Sequence, residues 1–323
     1  MRLHWNVPNP SPVIIHLMKK IRLGTIALLL CLTLSLTAET IQILGVGNSF
    51  TVNSQKYLPQ IIASDPEVDA VVACAYIGGC PLDKHMSLAK AHEANSEEGA
   101  KYTYKIDGKD AARNVSLKHM LQDREWDYIT IQQVSTKSYK IESYYPHAKD
   151  LIDYIKKYAP QAEIIVHETW SHSVDSYRAT DWGLDPREMY AKLHAAYNQI
   201  AEEYGLRIIP VGTAFENARK TEMWHYEPTS IDLNSLSYPE DKANLPDESK
   251  SMNRIFYWKK DKEDNWSVKT DGFHAGRNGE YLGGLMWYQF FFEKDPREIT
   301  YKPEKMTEAQ AVSLRQIAHD TIQ

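Results

Sequence analysis

The sequence predicts an α/β protein of three layers, an αβα sandwich in which helices cover both faces of a five-stranded parallel sheet. Short, nearly continuous apolar segments alternate with longer segments of helical periodicity, a pattern typical of parallel strands buried on both faces. The chain has 323 residues, of which 43% are hydrophobic and 25% charged, so it can bury a full core. It contains no internal repeat and no low-complexity linker, and we therefore expect one doubly wound domain.

Five segments are predicted strands, because each is rich in apolar and β-branched residues and ends near a turn or helix signal. They are residues 40–46, 68–77, 126–131, 163–167 and 207–211. Segments of helical spacing separate them, and one begins with proline in its first turn, where proline is tolerated. The predicted helices are residues 54–64, 146–158, 186–204 and 279–292.

Two further segments interrupt this alternation. Residues 102–114 have Asp107-Gly108 at their centre, which predicts an inserted β-hairpin. Residues 221–270 are polar, aromatic and proline-bearing, and their apolar stretches at 255–258 and 266–268 flank an acidic turn like a second hairpin. An excursion of this length is commonly functional, so we expect it to form a rim of the site.

The first 38 residues have the pattern of a secretory signal peptide. A basic stretch at 18–22 precedes an apolar stretch at 26–36, which ends at a small residue and is shorter than the roughly 20 residues that span a bilayer. An uncleaved membrane anchor is the alternative. Residues before Met18 show no pattern, so Met18 is a candidate start. We expect a secreted or periplasmic bacterial protein whose single domain is residues 39–323.

The charge of the chain argues against nucleic acid as a partner. The formal net charge is −6, and it becomes about −10 without the first 38 residues, which hold four basic side chains and no acid. An acidic surface repels phosphate backbones. Cys74 and Cys80 would meet an oxidising compartment after export and could form a disulfide. The alternative is two small buried side chains.

Ser49 is the first candidate for chemistry. It follows the first predicted strand in the segment Gly47-Asn48-Ser49-Phe50-Thr51. Ligands of open parallel sheets gather at the carboxyl ends of the strands, where the chain order switches. A free backbone amide at such a place favours developing negative charge. The simpler alternative is a serine that closes a turn or caps a helix.

Asp271 and His274 are the second candidate pair. They lie three residues apart in Asp271-Gly272-Phe273-His274, so the carboxylate can contact one ring nitrogen while the other faces a substrate. In that position an acid fixes the histidine tautomer and stabilises the imidazolium that forms when histidine accepts a serine proton. The alternative is a solvated turn before the last predicted helix.

Together these blocks resemble the SGNH, or GDSL-type, hydrolase superfamily of serine esterases. The first block matches with Asn48 where Asp is commoner, and the block at 271–274 is followed by Gly279-Glu280-Tyr281-Leu282, as in the superfamily. The resemblance covers about residues 40–295. It implies a flavodoxin-like sheet, Ser49 as nucleophile, His274 as base, Asp271 as orienting acid, and no metal or organic cofactor.

The resemblance also implies an oxyanion hole built from three donors. One is the Ser49 amide, and another is a glycine amide after the second strand, with Gly79 preferred to Gly78. The superfamily commonly supplies the third from a Gly-x-Asn-Asp block. This sequence instead has Gln132 and Gln133, of which we prefer Gln132; some sugar-ester branches use glutamine there, and its amide is a donor of the same kind.

Three other motifs are incomplete in this sequence. The segment from Gly45 lacks the third glycine of a dinucleotide fingerprint, because Phe50 occupies that place. Ser49 lacks the second glycine of the Gly-x-Ser-x-Gly elbow. His167 and His172 are five apart and would not share a helix face as metal ligands. We expect Trp170 and His172 to lie in a rim segment that contacts substrate, or else to be packing residues.

The sequence thus predicts an exported serine esterase that removes a small acyl group, acetyl in the first instance, from a carbohydrate. The chain contains 8 Trp and 20 Tyr, and aromatic faces stack on sugar rings. The expected partner is a small-molecule or glycan ester. The alternatives are a lipase or thioesterase of the same superfamily and a non-catalytic carbohydrate-binding protein.

Overall fold

The computed structural model describes residues 39–322. The predicted signal peptide lies outside these residues. Between residues 39 and 322, no helix combines the length and apolarity that crossing a bilayer requires.

A seven-stranded, mostly parallel sheet forms the centre of the fold, in the order β4-β3-β2-β1-β5-β6-β7. Its strands are β1 (Ile41–Gly47), β2 (Ala70–Tyr76), β3 (Tyr102–Ile106), β4 (Lys109–Val115), β5 (Tyr128–Ile131), β6 (Glu163–His167) and β7 (Arg207–Ile209). β2, β1, β5, β6 and β7 are parallel, and their order is that of a flavodoxin-like sheet. The predicted α/β class with a mostly parallel sheet is confirmed.

The five predicted parallel strands are present, and two antiparallel strands widen the sheet to seven. The hairpin predicted at 102–114 exists, but it adds to the sheet as β3 and β4, because β3 pairs antiparallel with β2 from Ala73–Ile106 to Tyr76–Thr103. This pairing covers one edge of the parallel strands, and an uncovered edge is open to aggregation.

Helices cover both faces of the sheet, as the predicted three layers require. They are α1 (Ser49–Gln55), α2 (Leu58–Ala63), α3 (Leu82–Ala94), α4 (Leu117–Gln122), α5 (His147–Tyr158), α6 (Tyr177–Trp182), α7 (Pro186–Tyr204), α8 (Val211–Arg219), α9 (Arg277–Phe292) and α10 (Glu308–Thr321). Alternate residues of β1 point to opposite faces. Ile43 belongs to the apolar cluster beneath α1, α2, α8, α9 and α10, and Leu44 to the cluster beneath α3, α4, α5 and α7.

α1 begins at Ser49, whereas the sequence predicted a helix at 54–64. Asn48 explains the difference, because its side-chain oxygen accepts a 3.1 Å hydrogen bond from the Phe50 amide and caps the helix. The helix packs tightly on the end of β1, since a Cβ atom on Gly47 would lie 2.2 Å from Thr51 Oγ1. Glycine is therefore required immediately before the candidate serine.

The excursion at 221–270 contains the second predicted hairpin as β8 (Phe256–Lys260) and β9 (Trp266–Thr270), which form a separate two-stranded sheet. The backbone preceding β8 runs beside the block at 271–274. The Arg254 amide donates to the His274 carbonyl at 3.0 Å, and the Gly272 amide donates to the Arg254 carbonyl at 2.9 Å. The excursion thus borders the candidate site.

Cys74 and Cys80 are free and buried, which corresponds to the second of the two sequence-based alternatives. Burial raises the pKa of both thiols to about 12, so both are neutral and unreactive in the folded chain.

Candidate active site

Ser49 lies at the carboxyl edge of the parallel strands, at the first position of α1. β1 is flanked by β2 on one side and β5 on the other, so Ser49 stands at the switch point of the sheet, where ligands of such folds bind. The loops after β2, β5 and β6 end at the same edge. They carry every other residue that the sequence predicted for the site except Asp271 and His274.

The structure brings Ser49, His274 and Asp271 into one hydrogen-bonded chain. His274 Nδ1 lies 2.9 Å from Asp271 Oδ2, and His274 Nε2 lies 2.8 Å from Ser49 Oγ. Because Asp271 can only accept, the proton of the neutral imidazole lies on Nδ1, and Nε2 accepts from the serine hydroxyl. This arrangement can transfer a proton from Ser49 to His274 while the aspartate holds the ring.

Asp271 is held as a carboxylate. Its side chain is only 4% exposed, and burial alone would raise its pKa, but hydrogen bonds from His274 and Arg254 outweigh burial and hold the pKa well below its usual range. The backbone amides of Phe273 and His274 also donate to Oδ1, at 3.2 and 3.0 Å. The carboxylate is therefore fixed in charge and in orientation.

Sequence reasoning missed Arg254, whose guanidinium pairs with Asp271 Oδ2. Asn53 was missed too; its side-chain oxygen accepts from the Ala275 amide at 3.3 Å, and its Nδ2 donates to Glu280 at 3.1 Å. Neither residue belongs to a recognisable motif. Asn53 could have been suspected from the α1 face it shares with Ser49, but Arg254 carries no local signal.

Buried aromatic side chains support the loop at 271–274. Trp170 is fully buried between Phe50 and Phe215, with ring centroids 4.3 and 4.6 Å away, and its Nε1 donates to the Phe273 carbonyl at 2.9 Å. Gly272 has φ of +69°, and a Cβ there would lie 2.6 Å from the Cα of Ser176. The position of His274 is therefore fixed by buried aromatic packing and by a glycine that cannot be replaced without strain.

Trp170 and His172 are placed differently from the substrate-contacting role that the sequence suggested. Both side chains are 0% exposed, so neither faces a substrate; the correction follows from their location beneath the loop rather than at its rim. Burial lowers the pKa of His172 to about 3, and its ring packs against Phe273 and Trp182 at 5.7 and 5.4 Å. They are packing residues, the alternative that the sequence left open.

Backbone amides for an oxyanion hole are present at two places. Among the described residues, the amides of Ser49, Gly78 and Gly79 donate to no protein acceptor. Gly78 and Gly79 form the exposed turn after β2, in which the Cys80 amide bonds to the Ile77 carbonyl at 3.3 Å and Gly79 has φ of +61°. These three amides can stabilise negative charge, and their role stays a prediction.

Gln132 and Gln133 differ in the bonds that they make. Gln133 Nε2 donates to Ser143, and its oxygen accepts from the amides of Leu82 and Val134, so this side chain is committed to holding loops together. Gln132 lies against Gly47, and both atoms of its buried amide are unpartnered among the described residues. Of the two glutamines, Gln132 has the uncommitted amide; because that amide is buried as well, its role as an oxyanion donor stays a prediction.

A second serine–histidine contact lies nearby, between Ser54 Oγ and His167 Nε2 at 3.1 Å. Both side chains are buried, and burial lowers the pKa of His167 to about 3. Within residues 39–322, the other ring nitrogen of His167 has no hydrogen-bond partner, so no carboxylate supports it. Of these two contacts, the one between Ser49 and His274 combines access with an orienting acid.

A polar cleft of about 460 Å³ adjoins His274 on the side of the excursion. Its lining includes Arg254, Ser251, Asn253, Arg277 and Glu280. In the described part of the chain, no three His, Cys, Asp or Glu side chains are grouped so that they could hold a metal ion. The cleft is suited to a polar group with several hydrogen-bonding atoms.

Comparison with known families decides where this chain belongs. A family model described as a domain of unknown function, DUF4886, matches residues 42–238. The chain belongs to the DUF4886 family. The match includes Ser49, Gly79 and Gln132 and ends before Asp271.

A solved structure of another DUF4886 protein agrees in fold with this chain, and two further structures are similar at lower scores. A crystal structure of a DUF4886 family protein from Bacteroides uniformis is 23% identical, with a TM-score of 0.69 over 88% of this chain and 95% of that one. A protein from Slackia heliotrinireducens, provisionally assigned as an SGNH hydrolase, is 16% identical, with a TM-score of 0.44 over 78% and 98% of the two chains. One from Parabacteroides merdae, provisionally assigned as a GDSL-like lipase, is 14% identical, with a TM-score of 0.43 over 79% and 97%. Comparison with curated proteins gives no match.

Proposed function

We propose that this protein is an exported serine esterase of the SGNH type that removes a small acyl group, acetyl in the first instance, from a carbohydrate. The observation that carries the proposal is the 2.8 Å contact between Ser49 Oγ and His274 Nε2, continued by the 2.9 Å contact between His274 Nδ1 and Asp271. A nucleophile, a base and an orienting acid in this geometry are the minimum for acyl transfer through serine.

In the proposed reaction, Ser49 Oγ attacks the ester carbonyl while its proton passes to His274 Nε2. Asp271 stabilises the imidazolium through Nδ1. The oxyanion is stabilised by the backbone amides of Ser49 and Gly79, with Gly78 as the alternative to Gly79. The side-chain amide of Gln132 is the third donor. His274 then returns the proton to the leaving alcohol. A water molecule, deprotonated by the same histidine, hydrolyses the acyl-enzyme and restores Ser49.

A carbohydrate as the alcohol part is supported by the walls beside His274. The cleft on one side is lined by amide, hydroxyl and charged side chains such as Asn253, Ser251 and Arg254, which match the hydroxyl groups of a sugar. On the side of α6, the rings of Tyr177 and Trp182 are 45% and 37% exposed, and exposed aromatic rings pack on sugar faces.

A long-chain ester is the second candidate. Val174 is 46% exposed and lies in the same segment as Tyr177 and Trp182, so an apolar chain could contact all three. The experiment that separates the candidates compares acetyl with octanoyl esters of 4-nitrophenol and of a sugar. A preference for octanoyl of tenfold or more would favour the lipid candidate. Binding of a glycan with no turnover of any ester would indicate a carbohydrate-binding protein instead.

Replacement of Ser49 tests the catalytic role directly. Ser49→Ala should reduce hydrolysis of 4-nitrophenyl acetate by at least about 10³-fold, since the chain loses its nucleophile. Ser54→Ala is the matched control, because Ser54 contacts the buried His167, and it should keep full activity. Undiminished hydrolysis by Ser49→Ala, with the thermal unfolding profile unchanged, would contradict the proposal.

A further inference from the structure

Arg178 lies beside the candidate active site on α6. Its guanidinium carbon is 3.8 Å from the centroid of the Phe273 ring, and that ring is 4.2 Å from the ring of His274. These two distances place the guanidinium within about 8 Å of the ring of the proposed catalytic base.

The guanidinium is held in one orientation. It stacks on Phe273, and its Nε donates a 3.0 Å hydrogen bond to the Tyr177 hydroxyl. The stacking involves one face of the guanidinium, and the hydrogen bond to Tyr177 involves Nε. Neither contact uses the hydrogen-bonding capacity of the two terminal NH₂ groups. A guanidinium that is already fixed loses less conformational entropy when it binds a ligand.

Those terminal NH₂ groups are unused by the protein. Among the described side chains, no carboxylate pairs with Arg178, and neither NH₂ group donates to an acceptor. Arg207 is a useful comparison, because it also lies over an aromatic ring, that of Phe290 at 4.7 Å, but its guanidinium binds both oxygens of Glu163. The chain has more acidic than basic residues, so a fixed arginine with no carboxylate partner in the described part of the chain is available for an external acid.

We propose that Arg178 binds a carboxylate of the substrate, which makes the substrate an acylated acidic sugar. This inference rests on the proposed function and specifies its substrate class. A planar guanidinium binds a planar carboxylate through two parallel hydrogen bonds. The exposed ring of Tyr177 lies next to this guanidinium, so a sugar that stacks on the ring can present its carboxylate to Arg178 and its acyl group to Ser49.

The test compares three acetyl esters: 4-nitrophenyl acetate, an O-acetylated methyl glucoside and the matching O-acetylated methyl glucuronide. For the unmodified enzyme, kcat/KM should be at least tenfold higher for the glucuronide than for the glucoside. Arg178→Gln should lower kcat/KM for the glucuronide about 10- to 100-fold, the range for a lost hydrogen-bonded ion pair, and change the other two less than twofold.

Three controls make the outcome decisive. Arg187→Gln removes an exposed charge near the start of α7 without touching Phe273, and it should leave the glucuronide preference intact. Arg178→Lys keeps the positive charge but lacks the planar guanidinium. For the glucuronide, it should recover less than a third of the kcat/KM that Arg178→Gln loses. An acetylated glucose 6-sulfate should be a poorer substrate than the glucuronide; equal or better turnover would overturn the carboxylate assignment in favour of sulfate.

The inference and the proposed function fail in different ways. Equal kcat/KM for glucoside and glucuronide, or an equal loss on all three esters in Arg178→Gln, would overturn the role of Arg178 while Ser49→Ala still abolished turnover. If Arg178→Gln proves poorly folded, the salt dependence of the unmodified enzyme decides: KM for the glucuronide should rise with NaCl and KM for the glucoside should not. No turnover of any ester would instead reject the proposed function.

Discussion

Asn48 Nδ2 donates a 3.1 Å hydrogen bond to the carbonyl oxygen of Cys80, while Asn48 Oδ1 accepts from the Phe50 amide. One side chain therefore caps the helix that carries Ser49 and ties it to the turn that carries Gly78 and Gly79. An aspartate in place of Asn48 could accept from Phe50 but could not donate to Cys80. Asn48 thus positions the amides proposed for the oxyanion hole relative to the nucleophile.

Asn48→Asp should lower kcat with little change in KM. The new carboxylate would face the Cys80 carbonyl with no proton to share and would displace the glycine turn. Full loss of an oxyanion donor costs about 10² to 10³ in kcat, and a displaced donor should cost about tenfold or more. Steady-state kinetics on an acetyl ester would measure the effect. A kcat within twofold of the unmodified enzyme would show that the bond does not position the turn.

Arg254→Met should lower both activity and stability. The substitution removes one partner of Asp271, whose carboxylate is 4% exposed, but leaves the bonds from His274 and the two backbone amides. Because Arg254 itself is half exposed, the loss should be about 1 kcal/mol in the free energy of unfolding. A less firmly held carboxylate should lower kcat about tenfold. Urea unfolding and kinetics on one sample would test both, and an unchanged kcat would contradict the assigned role.

Acid should destabilise the fold well before the carboxylates titrate. Burial lowers the pKa of His85 to about 4 and of His167 and His172 to about 3, against about 6.5 in the unfolded chain. Below pH 6.5 the unfolded chain therefore binds protons that the folded chain does not. Each histidine should cost about 1.4 kcal/mol per pH unit as the pH falls from 6.5 towards 4.

His172→Leu provides the matched variant for this pH effect. Neither ring nitrogen of His172 has a partner among the described residues, so leucine removes a titrating group without orphaning another. Between pH 6 and 4.5, the slope of the unfolding free energy against pH should fall by the amount that corresponds to about one bound proton, roughly 1.4 kcal/mol per pH unit. Chemical denaturation at four pH values would measure it. An unchanged slope would show that His172 is protonated in the folded chain.

The thiols of Cys74 and Cys80 should react only after unfolding. Both are buried and free, and burial raises their pKa to about 12. In a chain that begins at residue 39, iodoacetamide should label neither cysteine under native conditions and both in guanidinium chloride. Mass spectrometry of the intact chain counts the labels. Failure to label either one in denaturant without reductant would indicate a disulfide.

Local patterns predicted the parts of the site that depend on neighbouring residues. Ser49 follows a strand, and Asp271 and His274 lie three apart, so each block could be recognised by itself. Gly272 and the helix start after it belong to the same local signal. The α/β class followed in the same way from the period of apolar residues along each strand.

The remaining parts depend on contacts between distant segments. β3 pairs with β2 and so widens the sheet, and Arg254 contacts Asp271. Neither contact produces a recognisable pattern in the sequence of the two segments that it joins. The burial of Trp170 depends on Phe50 and Phe215 stacking on both its faces. Tryptophan after a strand is compatible with both a rim and a core, and only the packing of three separate segments decides between them.

The central claim, that Ser49 is a nucleophile activated by His274 and oriented by Asp271, is tested most directly by covalent labelling. A fluorophosphonate probe should add one equivalent to the chain, on the peptide that contains Ser49. Labelling should be absent in Ser49→Ala and slowed at least about 10²-fold in His274→Ala, while Ser54→Ala should label at the normal rate. No adduct, or an adduct on another serine that survives Ser49→Ala, would contradict the account.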